Sequence, residues 1–241
     1  LARWIDKYVI TEDVKIENYT NKFLILDIIG PQAESYLTLI CGKDVDELTD
    51  NKLHKVFIEE TPAHLLKKKA LSGESLYWLV SEVENSEILL DYLLSHKSVF
   101  DLEMIGEDSF DRYRVINKVL KFGKEISDNY NPHEANLLDD VSFKKGCYIG
   151  QEVIARLDTY DKVQKYLKRF VINNNDLILP AELFSTEKEL VTIITTLTKN
   201  HENNEFEGLG YFKKSFIEKS KEFELSPKDK LNQKYKIRLL D

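Results

Sequence analysis

The feature that most constrains this chain is a change in hydrophobic periodicity near residues 153–162. Before it, apolar residues recur with helical and strand spacing in turn. After it, only short runs with a two-residue period occur. The two periods reflect where Cβ atoms point along a helix and along a strand. The first region must therefore place helices on a sheet, whereas the second closes β-strands around a core of their own. The expected fold is α+β over residues 1–155, followed over 156–241 by a small C-terminal β-barrel, with a β-sandwich as the other reading of the same runs.

Within the first region, 14–18 and 23–29 alternate as strands. Pro31 opens a helix over 31–40, with proline in the first turn and Gly42 just past the end. Strand-like runs follow at 63–70 and 75–80. Asn85 or Ser86 caps a helix over 87–95, whose Ile88, Leu89, Tyr92 and Leu93 share a face. With a strand at 101–105, the order matches a ferredoxin-like split arrangement. A third helix is expected over 109–121, stopped by Gly123, and 129–140 reads as a polar loop with Asn131-Pro132 and Asp139-Asp140. The β region contains runs at 163–172, 190–198, 208–212 and 235–240, with the turn-rich 173–176 and 201–205 between them.

A chain of 241 residues with 42% hydrophobic content can bury one large core or two modest ones. Its 34 basic and 42 acidic residues give a charge of −8, opposite to the basic excess of a general nucleic-acid binder. No stretch approaches the roughly 18 apolar residues of a membrane-spanning helix. Phe23-Leu-Ile-Leu-Asp-Ile-Ile29 is short and broken by Asp27, so it reads as a buried strand. Two cysteines make no disulfide framework. The expectation is a cytoplasmic protein with no membrane or direct nucleic-acid partner.

One cysteine stands in Phe143-Lys-Lys-Gly-Cys-Tyr-Ile-Gly-Gln-Glu152. Thiolate is the reactive form of cysteine, and nearby cations favour it. Lys144 and Lys145 supply charge, while Gly146 and Gly150 let the backbone turn about Cys147. On spacing alone, two readings stand: a reactive thiol on a shaped loop, or a small space-filling hydrophobe with two solvated lysines beside it. Metal binding is not expected, because Cys41 and Cys147 are far apart and the histidines at 54, 64, 96, 133 and 201 form no ligand pair. Cys41, at the end of an apolar helix, reads as core.

Together, RYRVINKVLKFGKEI, NPHEANLLDDVSFKKGCYIGQEVIARL and GLGYFKK resemble the YgfZ branch of the YgfZ/GcvT folate-binding family. These are relatives of the glycine-cleavage T-protein, an aminomethyltransferase. The branch's K-G-C-Y-x-G-Q-E signature is matched by Lys145, Gly146, Cys147, Tyr148, Gly150, Gln151 and Glu152. Pro132–Leu137 is similar to its P-x-E-x-N-L approach. The resemblance implies a folate-binding domain with ferredoxin-like elements, incomplete at its N-terminus because Leu1 falls inside the usual domain, followed by a β-barrel. It further implies tetrahydrofolate as cofactor, and an accessory role in assembling or maintaining iron–sulfur enzymes, tRNA-modifying ones included. The partners expected are such client or assembly proteins. The alternative is an aminomethyltransferase, although T-proteins differ at the KKGCYIGQE position and carry a catalytic aspartate in a segment with no counterpart here.

Two positions follow from the resemblance as cofactor contacts. Ser72-Gly73-Glu74 is similar to the T-G-E turn whose glutamate binds the pterin edge, which makes Glu74 the candidate; an ordinary hairpin-turn acid is the other reading. Arg114 matches the family's folate-contacting arginine, against the reading of a surface partner for Asp111 or for acids on the Lys118 side. The family's R-[IV]-E-x-G-x-P end departs here, with Ile116, Lys118 and Leu120 replacing Glu, Gly and Pro. Cys147 and Lys145 are the motif residues assigned chemistry. Tyr77 and Trp78 are read as core rather than as a stacking platform, since neighbours on a strand face opposite ways.

Overall fold

The computed structural model describes residues 2–11, 13–42, 45–148, 150–160 and 163–240. They form two compact units, one of residues 1–69 and 74–104, the other of 70–73 and 105–241. The sequence places its division at 153–162, whereas the compact units divide near 104.

The first unit begins with a short helix, α1 (Ala2–Asp6). It continues through β1 (Phe23–Ile28), α2 (Ala33–Cys41), β2 (Leu53–Ile58), β3 (Thr61–Lys69), β4 (Ser75–Glu82) and α3 (Ser86–Ser95). The strands make one antiparallel sheet in the order β1-β4-β3-β2. In α2, Ala33, Tyr36, Leu37 and Ile40 are buried at helical spacing, and Gly42 ends the helix at φ 59°. These residues pack with Leu89 and Leu93 of α3 against Ile28, Val56, Ile58, Ala63, Leu65, Tyr77 and Leu79 of the sheet. Tyr36 ties the two helices by donating its hydroxyl to the Leu93 carbonyl at 2.9 Å.

The second unit contains α4 (Glu107–Asn117), α5 (Gln151–Tyr160), β5 (Lys165–Ile172), β6 (Ala181–Phe184), β7 (Leu190–Lys199), β8 (Phe206–Lys213), α6 (Lys214–Ile217), β9 (Glu222–Leu225) and β10 (Tyr235–Leu239). Its six strands are antiparallel in the order β6-β7-β8-β5-β10-β9. The ends of this curled sheet meet where Phe184 and Ser226 exchange backbone hydrogen bonds of 2.8 and 3.0 Å. Phe170, Ile172, Leu183, Val191, Ile194, Phe212 and Tyr235 fill the enclosed core. β8 needs two glycines to pass the bulged β7: a Cβ on Gly208 would lie 2.4 Å from the Thr196 carbonyl oxygen and 2.8 Å from Phe170. A second core joins Leu167, Leu209 and Tyr211 of the strands to Val115 of α4 and Ala135.

Several sequence expectations are corrected. Residues 14–18 and 101–105 alternate but join no strand, because alternation holds a strand only where a neighbour takes its backbone hydrogen bonds. Losing 101–105 removes the last strand of the ferredoxin-like split order, and β2 supplies the fourth position in the sheet instead. α4 runs 107–117 rather than 109–121; Lys118 takes a left-handed φ of 53° and stops it short of Gly123. α5 was not expected, and neither were β6 and β9.

Candidate functional site

Arg114 anchors the most densely connected polar cluster of the second unit. It lies in the last turn of α4 and is 1% exposed. Its Nε donates to Asp111 Oδ1 at 2.9 Å, and its Nη1 donates to the Val119 carbonyl at 2.9 Å and to Glu125 Oε2 at 3.2 Å. Lys124 reaches the second Asp111 oxygen at 2.9 Å. Burial alone would raise the Asp111 carboxyl, but Lys124 and Arg114 hold it below the usual carboxylate range.

Glu125 is fully buried and is satisfied from four directions. The Lys121 amide and Arg114 donate to Oε2, and the hydroxyls of Thr195 and Thr196 donate to Oε1 at 2.8 and 2.5 Å. Tyr211 also donates its hydroxyl to the Glu125 carbonyl at 2.7 Å. The bulge between Ile194 and Thr196 allows consecutive threonines of β7 to reach one carboxylate. This cluster pins the chain after α4 onto the barrel. The i,i+3 spacing of Asp111 and Arg114 was visible in the sequence, but nothing local points to Glu125, Thr195 or Thr196.

The next segment is fastened in the same way. Asn131 and Glu134 cap each other reciprocally at 3.0 and 3.1 Å, a capping box closed by asparagine. The Leu167 amide donates to the Glu134 carbonyl, and the Tyr130 ring stacks on Tyr211 at 3.7 Å. The Pro132–Leu137 stretch therefore serves as a clasp against β5 and β8.

Beyond this clasp lies the cysteine motif. Lys144, Lys145, Gly146, Cys147 and Tyr148 are all exposed, so Cys147 is not a buried space-filler. Lys145 Nζ lies 4.4 Å from the Tyr148 ring centroid, which holds its charge close to the thiol-bearing turn. Gly150 takes φ 92°, a value that favours glycine, and leads into α5. Gln151, first residue of that helix, accepts from the Tyr148 amide at 3.2 Å, and Glu152 is exposed beside it. Gly150, Gln151 and Tyr148 thus shape the loop, while Lys145 and Cys147 are presented by it.

The Ser72-Gly73-Glu74 turn belongs to two units. Ala70–Gly73 is counted with the second, where the Ser72 amide donates to the Asn117 carbonyl at 3.2 Å and its hydroxyl to Asn117 Oδ1 at 3.2 Å. Gly73 takes φ 90°. Glu74 follows in the first unit, half-buried, immediately before β4. From there the strand alternates: Tyr77 enters the helix-side core at 1% exposure, whereas Trp78 faces the other side of the sheet and is half-exposed. Trp78 therefore departs from its expected core position. Among the described residues, no group of three or more histidine, cysteine, aspartate or glutamate side chains is placed to hold a metal, and no helix is long and apolar enough to cross a membrane.

The four-stranded sheet, the barrel and the α4 region agree with comparisons to known proteins. The GCVT N-terminal domain matches residues 1–145, and the chain belongs to that family. A chloroplastic protein of Arabidopsis thaliana with a provisional transferase name is 26% identical over 216 residues, covering 89% of this chain and 48% of its own length. An aminomethyltransferase of Symbiobacterium thermophilum is 31% identical over 144 residues, covering 58% of this chain and 38% of its own. The chain thus spans about half or less of the curated relatives it matches. The glycine cleavage system aminomethyltransferase T from Bartonella henselae shares the fold with a TM-score of 0.70 at 16% identity, over 91% of this chain and 58% of that one.

Proposed function

We propose that this chain is a folate-binding member of its family that acts as an accessory protein to iron–sulfur enzymes, in the manner of the YgfZ branch. The observation that carries the folate reading is Glu74, half-buried behind a Gly73 turn inside the family-matched region. A pterin ring presents an amino group and a ring N–H side by side, which a carboxylate accepts as a pair of charge-assisted hydrogen bonds. Arg114 contributes indirectly in this reading. Its Nε and Nη1 donate to Asp111, Val119 and Glu125, so it fixes the end of α4, where Asn117 receives the Ser72 turn.

The accessory half rests on the exposed Cys147, with Lys145 two residues before it. A thiol in that setting can meet a one-carbon species or the sulfur chemistry of a client protein. It needs no metal for this. The second reading, aminomethyl transfer to tetrahydrofolate, is favoured by the aminomethyltransferases among the relatives.

Calorimetric titration with tetrahydrofolate tests the folate reading. Losing a hydrogen bond to a charged group costs about 1.5–3 kcal/mol, so Glu74→Ala should weaken binding roughly 10- to 150-fold. Unchanged affinity in that variant rejects the assignment. A Cys147→Ala protein that fully supports iron–sulfur enzyme activity in cells rejects the accessory role, and aminomethyl-transfer turnover by the purified protein favours the second reading.

A further inference from the structure

The hairpin between β3 and β4 turns through residues 70–74, between the paired Lys69 and Ser75. Within it the Gly73 amide donates to the Ala70 carbonyl at 2.9 Å, which closes a four-residue turn. Gly73 takes φ 90°, and a Cβ there would meet nothing within 4 Å beyond its chain neighbours. The glycine therefore answers the backbone angle and not crowding. Leu71, Ser72 and Gly73 are all exposed, and Glu74 leaves the turn directly after them. An exposed loop that carries a contact residue needs a rigid element to orient it.

Asn117 provides that element. It is the last residue of α4, and its carbonyl is among those that a helix C-terminus leaves without a partner inside the helix. That carbonyl accepts the Ser72 amide at 3.2 Å, and the side-chain Oδ1 accepts the Ser72 hydroxyl at 3.2 Å. The other end of the same amide is used as well: Nδ2 donates back one turn to the Tyr113 carbonyl at 3.2 Å, which leaves Oδ1 facing Ser72. Lys118, with φ 53°, donates its amide to the Arg114 carbonyl and ends the helix there. One bond would let the turn swivel. Two bonds from one residue, to both donors of another 45 positions away, fix its rotation as well as its distance.

We propose that Asn117 is a positioning residue for Glu74, setting the direction in which the Gly73 turn presents that carboxylate to its ligand. This inference rests on the reading of Glu74 as a folate contact and assigns Asn117 no contact of its own with the ligand. A carboxylate that must accept two neighbouring donors side by side tolerates little rotation, so the orientation of the turn enters directly into affinity. Ser72 is exposed and Asn117 half-buried, so the side-chain bond between them adds little to stability. Its distinct effect is on geometry.

Calorimetric titration with tetrahydrofolate separates the two roles. Asn117→Ala and Ser72→Ala should each weaken binding about three- to tenfold, with the urea midpoint of Ser72→Ala close to that of the unaltered protein. The double variant should lose no more than the larger single loss, because both changes remove the same bond. Ser72→Thr, which keeps the hydroxyl, should retain the affinity. In a Glu74→Ala background, Asn117→Ala should change affinity less than about twofold, since the group it orients is gone. An equal loss in both backgrounds, or undiminished affinity in Asn117→Ala, overturns the positioning role and leaves Glu74 as a contact. Undiminished affinity in Glu74→Ala alone overturns the folate reading, and this inference with it.

Discussion

Replacing Arg114 by alanine separates a ligand contact from a structural pin. The guanidinium is 1% exposed, and its loss strips Asp111 of one partner, Glu125 of another and the Val119 carbonyl of its donor. Glu125 is fully buried, so water cannot replace the missing charge without the segment opening. Removing one member of a buried ion pair typically costs about 3–5 kcal/mol, a large share of a total stability of roughly 5–15 kcal/mol. With a urea slope of about 2–3 kcal/mol per molar, the midpoint should fall by roughly 1–2.5 M. Pairing Arg114→Met with Glu125→Gln removes both charges together and should recover part of that loss. The measurement is urea unfolding followed by circular dichroism, alongside calorimetric folate titration below the transition. An Arg114→Ala protein that loses less than about 1 kcal/mol of stability yet no longer binds folate would refute the reasoning and return Arg114 to direct contact.

Gly208→Ala should destabilise the barrel unit by about 2–3 kcal/mol, since the added Cβ meets the Thr196 carbonyl at 2.4 Å; thermal unfolding should shift down by roughly 4–12 °C. Gly210→Ala, whose nearest contact is 2.9 Å, should cost less, and equal effects would contradict the packing described. Asp111 has a depressed pKa in the folded protein, so its contribution is present above the unfolded value of about 3.9 and disappears as pH falls through the folded one; Asp111→Asn should flatten that acid limb of a stability–pH curve. Under native conditions a small thiol reagent should modify Cys147 much faster than Cys41, which packs on the first unit's core, and comparable rates would show that the motif loop is closed.

The sequence made the helices legible where apolar spacing and a stop agreed, as in Ala33–Cys41 before Gly42. The long barrel strands were equally clear, because Val191, Ile194, Leu209 and Phe212 are buried side chains on short alternating runs. β2 was hidden: Leu53 and Phe57 face outward and Lys55 stands between them, so its apolar count does not look like a strand. The reverse error occurred at 14–18 and 101–105, where alternation exists without a neighbour to accept the backbone. Of the candidate site, the motif loop and the Gly73 turn were readable because glycines announce them. Of Tyr77 and Trp78, alternation says that one faces inward but not which, and it is the Tyr77 side that the helices cover. The carboxylate at 125 was invisible for a different reason: its threonine partners lie 70 and 71 residues away.

The ring of barrel strands is fastened unevenly. Eight residue pairs join β5 to β8, whereas the two ends of the sheet are held by one pair, Phe184 and Ser226. A closed sheet has no free edge only while that pair holds, so the barrel behaves mechanically as a belt with a single buckle. Thermal energy will undo the buckle long before it parts the strands, and the event exposes two short edges, those of β6 and β9, rather than the whole core. The amides of Phe184 and Ser226 are therefore the natural sentinels of this unit. Their exchange with solvent reports opening of the ring, and the exchange of the β5–β8 amides reports its loss.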